Sequence, residues 1–338
     1  MLSSLPKLGD RAFILGAFLP TLIFVLLLLA LFHDQPLAGR WLEGLVTPNL
    51  GQAAYMLLAV WTVAVVTLMV NRPLYRFFEG YMLPHWMAER LKRRQQRKLQ
   101  KDKAEIIQLY NKWAAEGDNF CLKEQNRYQR LRMELIKWMP WEEDDILPTS
   151  FGNAIRAFEV YPSDVYGADG VVVWLRLATV MPETFIKQIQ DVRSQIDFLI
   201  NSCLFSMILG LLGLFRTICT GQWYNYDLST RDGIWALVSS FEKGWLGWAA
   251  GGAIAAFLFY RWAVSIVPRW GNLVMSAFDC YLPALASQLG FALPQTEDMR
   301  RVFWTTFSQQ IIFRREPTGE APFNPARWKQ ILPPPTTK

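Results

Sequence analysis

Four long apolar stretches divide the chain, at 13–32, 53–70, 198–215 and 245–267. A helix rising 1.5 Å per residue needs about twenty such residues to cross a ~30 Å hydrocarbon core, so each stretch predicts a membrane-spanning helix. Lys7 and Arg11 ahead of the first resemble the basic start of a signal peptide. The apolar run is too long for that, however, and no small-x-small cleavage site follows it. Pro20 lies inside the first span and predicts a kink, and Asn71-Arg72-Pro73 closes the second. Arg261 falls within two turns of the end of the fourth, so its guanidinium can reach the interface; a buried functional arginine is the sharper alternative.

Between the spans the pattern is amphipathic and helical. Ile106, Leu109, Tyr110 and Trp113 form one stripe, and Tyr128, Leu131, Leu135 and Trp138 form the next. Gly117 suits a helix C-cap and Asp118 or Asn119 the following N-cap, which predicts a helical hairpin. Trp141-Glu142-Glu143-Asp144-Asp145 then reads as a solvated acidic turn facing the basic residues before it. Thr149 or Ser150 would cap a short helix, on which Arg156 and Glu159 are spaced to pair. Tyr161-Pro162 is expected to end that helix, because proline disfavours helix in the residue before it. Residues 171–177 form an apolar stretch of ambiguous type, and 182–195 leads as a helix into the third span. Beyond the fourth span 271–289 is amphipathic. Thr296 then caps a helix with Glu297 and Asp298 in its first turn and Met299, Val302, Phe303, Phe307 and Ile311 along one face.

Charge orients the spans. The net charge of +6 is concentrated between Arg72 and Lys103, where ten Lys or Arg stand against three acids. The loop at 32–53 carries only Arg40, whereas Arg269, Arg300, Arg301, Arg314 and Arg315 follow the fourth span. The positive-inside rule then places both termini in the cytoplasm. Arg90, Arg93, Arg94, Arg97, Lys98 and Lys101 make a basic stem below the second span, suited to anionic lipid headgroups. Nucleic acid is the rival partner for such a stem, but no nucleic-acid-binding motif accompanies it.

Catalytic chemistry has little to work with. The two histidines, His33 and His85, stand apart, the four cysteines form no CxxC, and there is no GxSxG, HExxH, P-loop or dinucleotide fingerprint. No catalytic, cofactor or metal site is assigned. Inside the spans small residues recur every four positions: Ser202, Ser206 and Gly210 in the third, Gly247, Gly251 and Ala255 in the fourth. Such stripes let helix backbones approach closely, either within the chain or across an oligomer seam. Phe78-Glu79-Gly80-Tyr81-Met82-Leu83-Pro84 and Phe278-Asp279-Cys280-Tyr281-Leu282-Pro283 follow the second and fourth spans at similar distances. Parallel duplication of a hairpin and its exit helix would produce that, and so would coincidence.

The run Leu147-Pro148-Thr149, Phe151-Gly152-Asn153, Tyr161-Pro162, Tyr166-Gly167 with Asp169, and Trp174-Leu175-Arg176 resembles a group of uncharacterised bacterial membrane proteins. So does Phe278-Asp279-Cys280-Tyr281 with Leu289-Gly290 and Pro294-Gln295-Thr296. The resemblance implies a bacterial inner-membrane location and no activity. The expected fold is an all-α membrane protein with four transmembrane helices in two hairpins and a mainly helical cytoplasmic region. Its segments are a first hairpin at 11–71, a cytoplasmic helical domain with its basic stem at 72–195, a second hairpin at 196–268, amphipathic helices at 269–315 and a disordered proline-rich tail at 316–338. The expected function is an oligomeric membrane scaffold that presents helices to lipid and a protein partner. The alternative is a channel or pore-forming effector with Thr62, Thr67, Asn201, Ser202 and Ser206 as candidate pore polarity.

Overall fold

The computed structural model describes residues 11–36, 38–41, 50–117, 120–220 and 243–313; the expected N-cap at Asp118 or Asn119 and the tail at 316–338 lie outside these. Among the described residues the fold is all-helical, with no strand. The helices are α1 (Arg11–Leu31), α2 (Leu50–Glu79), α3 (His85–Glu116), α4 (Leu122–Trp138), α5 (Ser150–Tyr166), α6 (Gly170–Leu177), α7 (Glu183–Thr220), α8 (Lys243–Gln288) and α9 (Glu297–Phe313). Four of them, α1, α2, α7 and α8, are long and apolar enough to cross a membrane.

The chain divides into two compact units: Met1–Tyr75 with Arg193–Ile266, and Arg76–Val192 with Val267–Lys338. In the first unit α7 is the hub. Half of its apolar window is buried inside the chain, against 17–28% for the other three. Phe205 of α7 stacks on Phe24 of α1, and its Cys203 thiol donates to the Ala256 carbonyl of α8.

Pro20 does more than bend α1. Having no N–H, it cannot donate to the carbonyl four residues earlier, that of Gly16. The helix widens there into a π turn at Ile14–Phe18, closed by Leu19 N–H to the Ile14 carbonyl. The Gly16 carbonyl instead accepts from Asn201 Nδ2 at 2.7 Å, so α7 supplies the bond that α1 lost.

In the second unit, α3 and α4 form the expected hairpin around Leu99, Ile106, Leu109, Tyr128 and Leu135, with Trp113, Leu131 and Trp138 packed against them. Tyr110, at the edge of the stripe, is half exposed with its ring centre 6.4 Å from that of Tyr128. Gly117, at φ 54, terminates α3, and Cys121 stands at the N-cap of α4 without a side-chain bond. Helix α5 is longer than its proline predicts. It runs through Pro162 to Tyr166 and ends at Gly167 (φ 71), whose N–H bonds the Ser163 carbonyl. The missing Pro162 N–H costs one bond, and the left-handed glycine cap closes the helix a turn later. The ambiguous 171–177 stretch is helix α6, capped by Asp169 Oδ1 accepting from the Val172 N–H at 2.9 Å.

The proposed duplication does not carry into structure. Around Phe78–Pro84 the chain leaves α2 through Gly80 at φ 98, whereas 278–283 lies inside the unbroken helix α8. A glycine in the first copy permits the exit; Cys280 in the second does not.

Candidate functional site

The basic stem is the first candidate. Arg90, Arg93, Arg94, Arg97, Lys98 and Lys101 are all exposed on α3, while Leu99 and Ile106 are buried. The packed side carries neutral donors. Gln96 Nε2 donates to the Glu143 carbonyl and Gln100 Nε2 to the Glu143 carboxylate, and Lys103 lies 4.4 Å over the Trp141 ring. The acidic turn therefore faces this helix, but by its glutamines and one lysine rather than by the six stem cations. Among the described residues only Arg93 of the six has an acidic partner, Glu89 at 3.7 Å, and both are exposed. Such a pair contributes little. Just ahead of the stem, Tyr81, Met82 and Trp86 are 51–70% exposed. Aromatic residues beside a basic run are the composition of a membrane interface, a signal the sequence reading of the stem left out.

The helix-packing candidates divide. On α7 the stripe lies at a seam: a Cβ on Gly210 would meet the Ala249 carbonyl at 3.3 Å, and the Ser206 carbonyl lies 2.8 Å from the Cβ position of Gly252. On α8 the close approach falls at Gly252, one residue from the sequence stripe. A Cβ added at Gly247 or Gly251 would meet nothing within 4 Å, whereas one on Gly252 would sit 2.5 Å from Gly210 Cα. Gly247, Gly251 and Ala255 instead line an open groove with Leu27, Ser206 and Leu209. Small residues occupy several faces between Ala249 and Ala256, so a four-residue repeat can be started in more than one register. The buried positions Trp245, Ala263 and Val267 lie outside that run at helical spacing and select the face of Gly252.

The residues behind the family resemblance turn out to be local keystones. Thr149 Oγ1 accepts from Gly152 N–H at 2.9 Å and donates to the Phe78 carbonyl at 2.6 Å. The Asn153 amide bonds both the N–H and the carbonyl of Leu147, at 2.7 and 3.0 Å. The two separated clusters also meet. Tyr161 and Tyr166 both donate to Asp279 Oδ1, at 2.8 and 2.7 Å, and Trp174 packs on Phe278 with ring centres 6.0 Å apart. Burial, then the bond to Asp279, pushes Tyr161 up to about 12 and Tyr166 higher still, so both phenols remain donors at neutral pH. Arg300 closes the other cluster by donating from Nε to the Pro294 carbonyl at 2.8 Å.

Two further ion pairs join neighbouring elements. Arg156 bonds Asp145 and lies 3.7 Å from Glu159, as its spacing predicts. Burial raises Glu159 above its ordinary value, and Arg156 pulls it back. In the first unit Arg216 forks onto Asp34 at 2.9 and 2.5 Å and lies 3.8 Å over the Trp245 ring, tying α1, α7 and α8 together. The hydrogen bonds from Arg216 hold Asp34 down to about 2. A carboxyl depressed in the folded state contributes stability that is complete above about pH 4 and is lost as pH falls through about 2. Thermal unfolding followed from pH 6 down to 2 is therefore expected to show an acid-side loss that Asp34→Asn makes smaller.

Two of the candidate pore hydroxyls are turned into their own helix: Thr62 Oγ1 donates to the Leu58 carbonyl and Thr67 Oγ1 to that of Val63, each at 2.8 Å. Among the described residues no group of three His, Cys, Asp or Glu could hold a metal ion. The class this architecture defines is an all-α chain with four helices fit to cross a membrane and a second helical unit carrying an exposed basic helix. No family model, curated protein or solved structure matches the chain.

Proposed function

We propose that this chain is a non-catalytic, membrane-anchored interaction protein of a bacterial inner membrane, with both termini in the cytoplasm. Its stem helix α3 rests on anionic lipid headgroups, and the hairpin of α3 and α4 is held out for a cytoplasmic protein partner; nucleic acid is not its target. The observation that carries this reading is the segregation of six exposed cations on the side of α3 away from Leu99 and Ile106. Each Lys or Arg near an anionic surface contributes about 1 kcal/mol, and Tyr81, Met82 and Trp86 provide an adjoining apolar anchor. A homo-oligomer is part of the proposal, because Gly247 and Gly251 face open space and would let a second copy approach closely.

Two measurements test it. Reporter fusions at Glu43 and Asp227 are expected outside and those at Gly117 and Lys338 inside; an inside signal at either of the first two overturns the topology. Amide exchange of α3 is expected to slow when the full-length protein is moved from neutral to anionic nanodiscs. The effect should shrink as salt screens charge within about 8–10 Å, and should vanish when Arg93, Arg94, Arg97 and Lys98 are all changed to Gln. Exchange that ignores lipid charge rejects the lipid role. The second reading, a channel or pore-forming effector gated by the cytoplasmic helices, draws on Asn201 and Ser202, polar residues buried in α7. Ion flux through reconstituted protein would favour it.

A further inference from the structure

The π turn of α1 sits beside a set of buried oxygens. Asn201 is 1% exposed and Asn71 8%, and in each the amide oxygen has no hydrogen-bond partner. The orientation of Asn201 is settled by chemistry, since its nitrogen must face the Gly16 carbonyl it serves at 2.7 Å. One turn earlier on α7 stands Asp197, which accepts from the Tyr75 hydroxyl at 2.7 Å, and Asn71 lies one turn before Tyr75 on α2. The second carboxylate oxygen of Asp197 lies against Gly16, 3.7 Å from the position a Cβ would take there. The absent side chain at Gly16 leaves that oxygen room.

An ionisable side chain at the mouth of a membrane span marks a site by default. Here it is joined by two amide oxygens that are costly to leave unpaired in such surroundings. We propose that Asp197, Asn71 and Asn201 bind a dehydrated alkali cation where α1, α2 and α7 meet, beside the π turn. The donor set is all oxygen, which suits a hard cation, and it carries one formal negative charge. Calcium or magnesium would call for a richer oxygen shell than one carboxylate and two amides provide. Arg193, one turn before Asp197 and exposed, also acts on the carboxylate and offsets part of its charge. A water molecule donating to both amides is the competing occupant, and it would be indifferent to the salt.

The test uses the full-length protein in nanodiscs, unfolded by heat in sodium, potassium or choline chloride at one ionic strength. Sodium or potassium is expected to raise the midpoint saturably, as a ligand of the folded state does, while choline does not. Asn71→Leu, which leaves the bond between Asn201 and Gly16 intact, and Asn201→Leu should each weaken the apparent affinity by about tenfold or more. Arg193→Gln should strengthen it, an outcome that a purely structural role for these residues would not produce. Should Asn201→Leu fail to fold, Asn71→Leu and Arg193→Gln decide the matter. Equal midpoints in all three salts overturn the proposal in favour of water, and an ion response that survives Asn71→Leu overturns it in favour of ion binding at another place.

Discussion

Gly252→Leu is expected to unfold or badly destabilise the protein, while Gly251→Leu, one residue away, leaves the fold of each copy intact. A Cβ at position 252 would lie 2.5 Å from Gly210 Cα, 2.6 Å from its nitrogen and 2.8 Å from the Ser206 carbonyl, all backbone atoms of α7. No rotamer relieves that overlap; the two helices must separate. Overpacking a close core typically costs 1–3 kcal/mol, and a clash between two backbones belongs at the upper end of that range or beyond it. Gly251 has open space around it, so a leucine there adds only surface facing lipid or a second copy. Thermal unfolding in detergent, with an assay of assembly mass, reads both. A Gly251→Leu variant that unfolds like Gly252→Leu would reject the seam drawn here. If it folds normally but loses an oligomer, the open stripe is an interface between copies.

The difference between those two glycines shows where the sequence is legible. The spans could be read because a charge-free run of sufficient length has few other uses, and the amphipathic hairpin because Leu131, Leu135 and Trp138 repeat with the helical period. On α7 the small residues are few, so their stripe pointed to one face. On α8 they are many, and local spacing could not say which face turns inward. Only the buried positions outside the small run, such as Ala263, resolve it. The polar core was less legible still. Pro20 announces that the Gly16 carbonyl will need a donor, but the residue that provides it lies 185 positions away, and nothing local to Asn201 names its partner. The stem's chemistry was visible in its charge, whereas its exposure depends on which side of α3 meets the acidic turn.

Gly152→Ala is expected to be among the most damaging single-methyl additions in the second unit. The added carbon would sit 2.5 Å from the Glu79 carbonyl oxygen and 3.0 Å from Glu79 Cα, again with no flexible side chain to yield. Thr149 holds the two segments at this distance: its hydroxyl caps α5 and donates to the Phe78 carbonyl, next to Glu79. Pro148 closes the same junction from the other side, with ring atoms 3.0–3.1 Å from the Cβ position of Gly80. A methyl at 152 therefore cannot be absorbed by sliding α5 along without breaking the threonine bond, and a cost of about 1–3 kcal/mol follows from the overlap alone. Thr149→Val keeps the shape and removes the hydroxyl, which costs the cap about 1 kcal/mol and leaves the Phe78 carbonyl without that donor. Because both changes act on one junction, the double variant should lose less than the sum of the two single losses. Chemical denaturation of the four proteins in detergent measures this directly. Strict additivity would show that Gly152 and Thr149 act independently, and that the first turn of α5 is not clamped to the end of α2 in the way the geometry requires.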